Sequence, residues 1–242
     1  MATVNTSPPA AATQVDAARA TARAEFDRWA LTYERSWLNE IIFFPCVRAC
    51  QEEILRWQER RGGGGYRMLD VGCGTGKLLA VQARDDAAEV LVGLDYSPVM
   101  VAKFRDQIRA ADVGERLFAV HGDSERLPFA DETFDVLTCC NSFHHYPHQA
   151  AVVREFRRVL RPGGLLLLLD GFRDNVVGWV VFDVGVTTIE KNVHHVSWRD
   201  ARRMIWDAGF REIRQRKMNV FAPVLVNAAT VPVATPAAAA AG

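Results

Sequence analysis

The sequence predicts an α/β fold, a parallel sheet covered by helices on both faces. Two observations carry this. Between residues 66 and 170, short apolar runs ("YRMLDV", "EVLVGLD", "RLFAVHGD", "FDVLTCCN", "LLLLLD") alternate with helical stretches, the pattern of a wound parallel sheet. The last run is wholly apolar up to its acid, as suits a strand buried on both faces.

Taken in order, residues 1–18 are rich in Ala, Thr, Ser and Pro and are predicted to be disordered. From Arg19 to Arg60 apolar and aromatic residues recur at spacings of three and four, so the segment is helical, with Pro45 kinking or dividing it. Gly62 to Gly65 cut it off from the first strand. A helix over Gly76 to Arg84 follows that strand, and Pro98 opens another in its first turn. Gln149 to Leu160 reads as a helix stopped by "RPGG". Beyond Asp170 the pattern changes. Residues 173–191 are apolar and helical in character, and "SWRDARRMIWDAGF" is an amphipathic helix capped by Ser197 and ended by Gly209. "REIRQRK" and "NVFAPVLVNA" lie close enough to pair as an antiparallel hairpin at the sheet edge. From Ala228 the chain becomes a low-complexity tail, so residues 19–227 form one domain.

Composition narrows the function. The 242 residues hold 29 Lys plus Arg against 29 Asp plus Glu, and this zero net charge gives no support to a nucleic-acid or anionic-membrane partner. The local cluster Arg211, Arg214, Arg216 and Lys217 is interrupted by acids elsewhere and reads as a solvated face. The five cysteines, Cys46, Cys50, Cys73, Cys139 and Cys140, form no CxxC pair and suggest reduced thiols. No secretory signal opens the chain, and no apolar run approaches the ~20 residues of a membrane helix. A soluble cytoplasmic protein is expected.

The stretch "LDVGCGTG" (Leu69 to Gly76) carries the chemistry. A Walker loop needs glycine at Val71 and Ser or Thr at Leu78, so that reading fails. The dinucleotide pattern GxGxxG fits Gly72 and Gly74, but its third glycine arrives one place early. Asp70 decides between ligands. A carboxylate at the strand end repels a pyrophosphate, whereas an acid beside a helix N-terminus suits a ligand carrying both an ammonium and a carboxylate, such as the amino-acid end of S-adenosylmethionine. Asp95 ends the second strand about 20 residues on, placed for ribose hydroxyls. As a strand-end acid facing a crevice, it is expected to contribute little to the core. Asp123, ending the third strand, is placed to accept the adenine amino hydrogens.

Four segments together, "LDVGCGTG", "GLDYSPVMVAKFR", "GDSERLPFADETFDVLTCCNSFHHYP" and "EFRRVLRPGG", resemble the class I S-adenosylmethionine-dependent methyltransferases of the small-molecule type, similar to the ubiquinone/menaquinone C-methyltransferases. The resemblance covers residues 66 to about 170. It implies a Rossmann-like doubly wound sheet of seven strands with the last strand antiparallel, and an N-terminal helical lid over residues 19–60. It implies S-adenosylmethionine as cofactor and methyl transfer to a small apolar or aromatic acceptor. It places the methionine part on Asp70, Gly72 and Gly74. The ribose and adenine positions fall on Asp95, Tyr96, Met100, Asp123 and Ser124, and Asn141 lies beside the sulfonium. Tyr33, in "FDRWALTYE", matches a lid residue over the cofactor.

The histidines are weighed separately. His144, in "FHHYPH" just past the fourth strand, is a candidate base for the acceptor's proton, with His145 expected to fix the loop. His194 and His195, in residues 171–209 on the substrate side, are candidates for the acceptor pocket, and His195 also for a base. Glu190, four residues before His194, would orient its imidazole. No metal ligand set is visible. Two alternatives stay open: a cofactor-binding homologue without methyl transfer, and a nucleic-acid methyltransferase.

Overall fold

A computed structural model describes residues 43–111, 115–171, 194–218 and 224–233. Tyr33, Glu190, the expected helix at 173–191 and most of the expected lid lie outside them.

The described residues begin with helix α1 (Phe44–Arg61). Pro45 sits in its first turn, where its missing N–H costs nothing, so this proline opens the described helix. Gly62, at φ 81°, closes it in the left-handed conformation. Then follow β1 (Tyr66–Val71), α2 (Lys77–Gln82), β2 (Ala88–Asp95), α3 (Pro98–Ala111), β3 (Leu117–His121) and β4 (Phe134–Cys140). A 3₁₀ turn (Phe143–His145) leads into α4 (Gln149–Val159) and β5 (Leu160–Gly171). The last described elements are α5 (Trp198–Asp207), β6 (Arg211–Met218) and β7 (Val224–Thr230).

The strands form one seven-stranded sheet in the order β3-β2-β1-β4-β5-β7-β6. Strands β1 to β5 are parallel, and β7 runs antiparallel between β5 and β6. The expected hairpin is present, with β6 outermost. Alternation along β5 builds both halves of the core. Leu165, Leu167 and Leu169 join Trp57, Leu79 and Phe104 on one face. Leu166 and Leu168 join Val152, Phe156 and Ile205 on the other. The amphipathic helix behaves as expected: Ser197 caps α5 by accepting from the Asp200 amide at 3.0 Å.

The boundary of the tail needs correction. Ala228 to Thr230 belong to β7, and Ala228, Ala229 and Val231 are buried. Strand β7 is flanked on both sides, and small side chains suit it, so alanine-rich composition there marks a packed strand and not a tail.

One polar network fixes the loop before β4. The Arg158 guanidinium donates to both oxygens of Glu155 (2.7 Å each), to Asp131 (2.8 Å) and to the carbonyls of Phe129 (2.8 Å) and Leu127 (3.1 Å). Glu155 also accepts from the Leu127 amide at 2.9 Å. Arg158→Ala strands these acceptors, and we expect a loss of about 1–3 kcal/mol in denaturant unfolding, with Arg158→Lys restoring only part, since an ammonium lacks the fork. Arg158 holds the Glu155 carboxyl below its ordinary range. The stabilisation is therefore present above the unfolded carboxyl pKa and is lost as pH falls through the folded one.

Candidate active site

The C-terminal ends of the parallel strands share one rim, and the rim carries acids. Asp70 is the penultimate residue of β1, Asp95 closes β2 and Asp170 lies near the end of β5. All three are buried, at 2%, 9% and 5% exposure. Each buried carboxylate must find donors, and these donors shape the loops.

Asp95 accepts the Gly74 amide at 2.8 Å and the Ser97 amide at 2.9 Å. It therefore stitches the glycine loop after β1 to the start of α3 through backbone amides. Gly72 (φ 73°) has no room for a side chain: a Cβ there would lie 2.4 Å from Ser142 Oγ. Its glycine is required by packing against the turn after β4. At Gly74 (φ 54°) a Cβ would meet nothing within 4 Å. The loop thus presents an open cradle at Gly74.

Asp70 accepts from the Thr138 hydroxyl at 2.7 Å. Burial pushes its carboxyl up to about 7, the Thr138 hydrogen bond opposing and the Asp95 charge adding to the rise. Beyond β2, Tyr96 is partly exposed, its ring 6.4 Å from that of His121 at 31°. Met100 is buried at the start of α3, its amide bonded to Ser97 Oγ at 3.2 Å. Asp123 accepts from the Glu125 amide at 2.9 Å, bending the chain after β3, and Ser124 is buried beside it.

A second group gathers beyond β4 and β5. Asn141 takes a left-handed backbone (φ 53°) and its carboxamide donates to Cys46 Sγ on α1 at 3.6 Å. His144 is clasped by Asp170 twice. Its amide donates to Oδ2 at 2.9 Å, and its Nδ1 lies 2.6 Å from Oδ1. Burial alone would raise the Asp170 carboxyl, but the charge and hydrogen bonds of His144, with the charge of His195, hold it below its ordinary value. His195 is buried, its ring 4.9 Å from that of His144 at 60°; His194 is exposed and donates its amide to the His144 carbonyl at 2.7 Å. His145 packs 4.0 Å from His144, and burial, then the neighbouring histidine charges, push it well below the imidazole range. The Cys140 thiol feels both Asp70 and Asp170, which joins the two groups at one rim.

Asp170 is the residue that sequence reasoning missed. Its signal was available: like Asp70 and Asp95, it is an acid ending an apolar strand. Its partner stands 26 positions earlier on the neighbouring strand's loop, and no spacing rule reveals that. Cys46 and Cys50 lie on α1 and Cys139 and Cys140 on β4, while Cys73 sits in the glycine loop. Burial pushes Cys46 up to about 12, and Cys139 is also raised well above the thiol range by burial. Among the described residues there is no group of three or more metal-binding side chains able to hold an ion, and no helix long and apolar enough to cross a membrane.

Comparison with known proteins now bears on this geometry. Residues 69–168 match the family model described as a methyltransferase domain. The chain is 32% identical over 155 residues to demethylmenaquinone methyltransferase of Listeria welshimeri, covering 64% of each chain. It is 37% identical over 126 residues to 27-O-demethylrifamycin SV methyltransferase of Amycolatopsis mediterranei, covering 50% of this chain and 46% of that one. The chain thus spans less than two thirds of the length of the curated relatives it matches. In fold it is similar to the [4+2]-cyclase SpnF, with a TM-score of 0.63 at 23% identity over 76% of this chain and 80% of that one. Another solved structure of similar fold, with a TM-score of 0.65 at 18% identity over 86% of this chain and 98% of that one, is a Thermotoga maritima methyltransferase that depends on S-adenosylmethionine. The residues present fit that group: among the described residues nothing lies within 4 Å of a Cβ at Gly74, and the buried acids beside it are of the type that could take an ammonium and hydroxyls.

The raised carboxyl of Asp70 yields a sign. Its folded pKa lies above its unfolded one, so its contribution is complete below the unfolded pKa and is lost as pH rises through about 7. From pH 5.5 to 8 the ligand-free protein should lose about 2 kcal/mol of unfolding free energy from this group, at ~1.4 kcal/mol per pH unit. Asp70→Asn should flatten that slope in denaturant titrations at the two pH values.

Proposed function

We propose that the chain transfers the methyl group of S-adenosylmethionine to a small acceptor whose reacting atom is a hydroxyl oxygen. The observation that carries this reading is the buried His144–Asp170 pair at 2.6 Å. An ionised carboxylate only accepts, so the neutral imidazole carries its proton on Nδ1 and keeps a lone pair on Nε2. A base so prepared is needed when the acceptor must lose a proton as it reacts. The name of one relative, 27-O-demethylrifamycin SV methyltransferase, points to an oxygen acceptor in that protein.

In this reading Gly72 and Gly74 hold the methionine part of the cofactor, with Asp70 facing its ammonium. Asp95 takes the ribose hydroxyls, and Tyr96, Met100, Asp123 and Ser124 line the adenine. Asn141 stands on the sulfonium side. The bound cofactor supplies an activated methyl group. The chain's own work is to orient the acceptor, exclude water and take its proton at His144 Nε2, while Asp170 steadies the imidazolium that results. His195, and His194 at the rim, belong to the acceptor side, and Tyr33 to the lid. The balanced charge supports a small acceptor over a nucleic acid, and the composition supports a cytoplasmic location.

Calorimetry with S-adenosylmethionine and its demethylated product tests the cofactor; binding of neither ends this reading. Affinity should rise about tenfold from pH 6 to 8, because the ionised fraction of a carboxyl at about 7 rises by that factor. Asp95→Ala should weaken binding by roughly one to three orders of magnitude, from lost charge-assisted hydrogen bonds and a loosened Gly74 loop. His144→Gln should leave cofactor affinity unchanged. With labelled cofactor and a panel of hydroxylated aromatic compounds, it should slow methyl transfer by about 10²–10⁴. Wild-type turnover in His144→Gln would refute the base, and cofactor binding without any methylation would favour a non-transferring homologue.

A further inference from the structure

One side chain secures the segment that returns to the site at residue 194. Gln149, the first residue of α4, donates from its carboxamide nitrogen to the Phe143 carbonyl at 3.0 Å and to the His194 carbonyl at 2.7 Å. A carboxamide has two hydrogens, so both bonds are made together. The His194 amide in turn donates to the His144 carbonyl at 2.7 Å. Gln149 thereby bridges the turn that carries His144 and the segment that carries His195. At the far end of that segment, Ser197 caps α5. Residues 194–196 are thus fixed on both sides, and the His195 ring is held edge-on to His144.

We infer that Gln149 is a positioning residue: by clamping the 194–196 segment onto the Phe143–His145 turn, it seats His195 against His144 and fixes the direction of the His144 Nε2 lone pair. This rests on the reading of His144 as the base. Asp170 holds one edge of the ring, and the clamped His195 closes off its other freedom. A ring held by the carboxylate alone keeps its hydrogen bond while tilting about it. A displacement of about 1 Å at such a group costs on the order of 100-fold in rate.

Gln149 also starts a helix, and the two roles separate cleanly. The first turn of α4 holds no acidic residue, and a carboxylate at a helix N-terminus is favourable. Gln149→Glu therefore keeps or improves the helix start. It loses both donor hydrogens and sets an anion against two carbonyl oxygens, so only the clamp is removed.

The experiment uses the full chain with S-adenosylhomocysteine at pH 8. Ring-nitrogen NMR of His144 is assigned by the loss of its signals in His144→Gln, and hydrogen exchange is followed at the His194 amide. In the wild type we expect one tautomer, protonated at Nδ1, and a protected His194 amide. In Gln149→Glu we expect the Nδ1-protonated tautomer to be kept but its ring signals to be shifted and broadened by tilting, and His194 exchange at least about tenfold faster, with an unchanged melting temperature and S-adenosylhomocysteine affinity within about twofold. Identical ring signals and exchange in the two proteins overturn the clamp while leaving the base intact. A wild-type ring protonated at Nε2 instead overturns the base itself, and this inference with it.

Discussion

A carboxylate buried at the end of a parallel strand cannot be left without donors, and that constraint organises the whole rim of this sheet. Each acid is satisfied from a neighbouring strand's territory. Asp95, ending β2, holds the amide of Gly74 in the loop after β1. Asp170, on β5, holds the amide and ring of His144 in the turn after β4. Asp70, on β1, takes its hydrogen bond from Thr138 on β4. The rim is cross-stitched strand to strand, and the groups that shape the loops are the same ones proposed to meet the cofactor. Packing adds the remaining constraint, since the glycine loop lies so close to Ser142 that only Gly72 fits there.

The balance between burial and hydrogen bonding sorts the titrating groups into roles. Asp70 has one side-chain donor and is raised, while Asp170 has His144 and is lowered. His145, one residue from His144, is forced neutral by burial and by its neighbours. Two adjacent histidines with the same intrinsic chemistry are thus separated by geometry alone. The cysteine face is quieter: Cys46 and Cys50 on α1 rest against Asn141 and Cys140, and the thiols of buried Cys50 and partly buried Cys140 approach to 3.4 Å where helix packs on sheet.

Local features were legible in the sequence because they obey local rules. The alternation of β5, the glycine loop, the proline opening α3 and the serine cap of α5 all follow from residue spacing or backbone preference. Features that depend on sheet neighbours were not. Asp170 looked like the end of an apolar run until β4 and β5 were laid side by side. Asp95 looked like a ligand group alone until the Gly74 amide was found on it. The alanines of β7 read as a tail, since composition does not report that β5 and β6 lie on either side of them. His144 was visible as a candidate base and His145 as a loop residue, but the carboxylate that holds the His144 ring was not.

A crystal structure with bound S-adenosylhomocysteine tests the account most directly. It predicts the ribose hydroxyls on Asp95, the amino group toward Asp70, and His144 facing the sulfur from across the acceptor space with its Asp170 hydrogen bond kept. Nucleoside density away from Asp95, or a His144 ring turned from the sulfur, would contradict the central claim that this rim is one catalytic site.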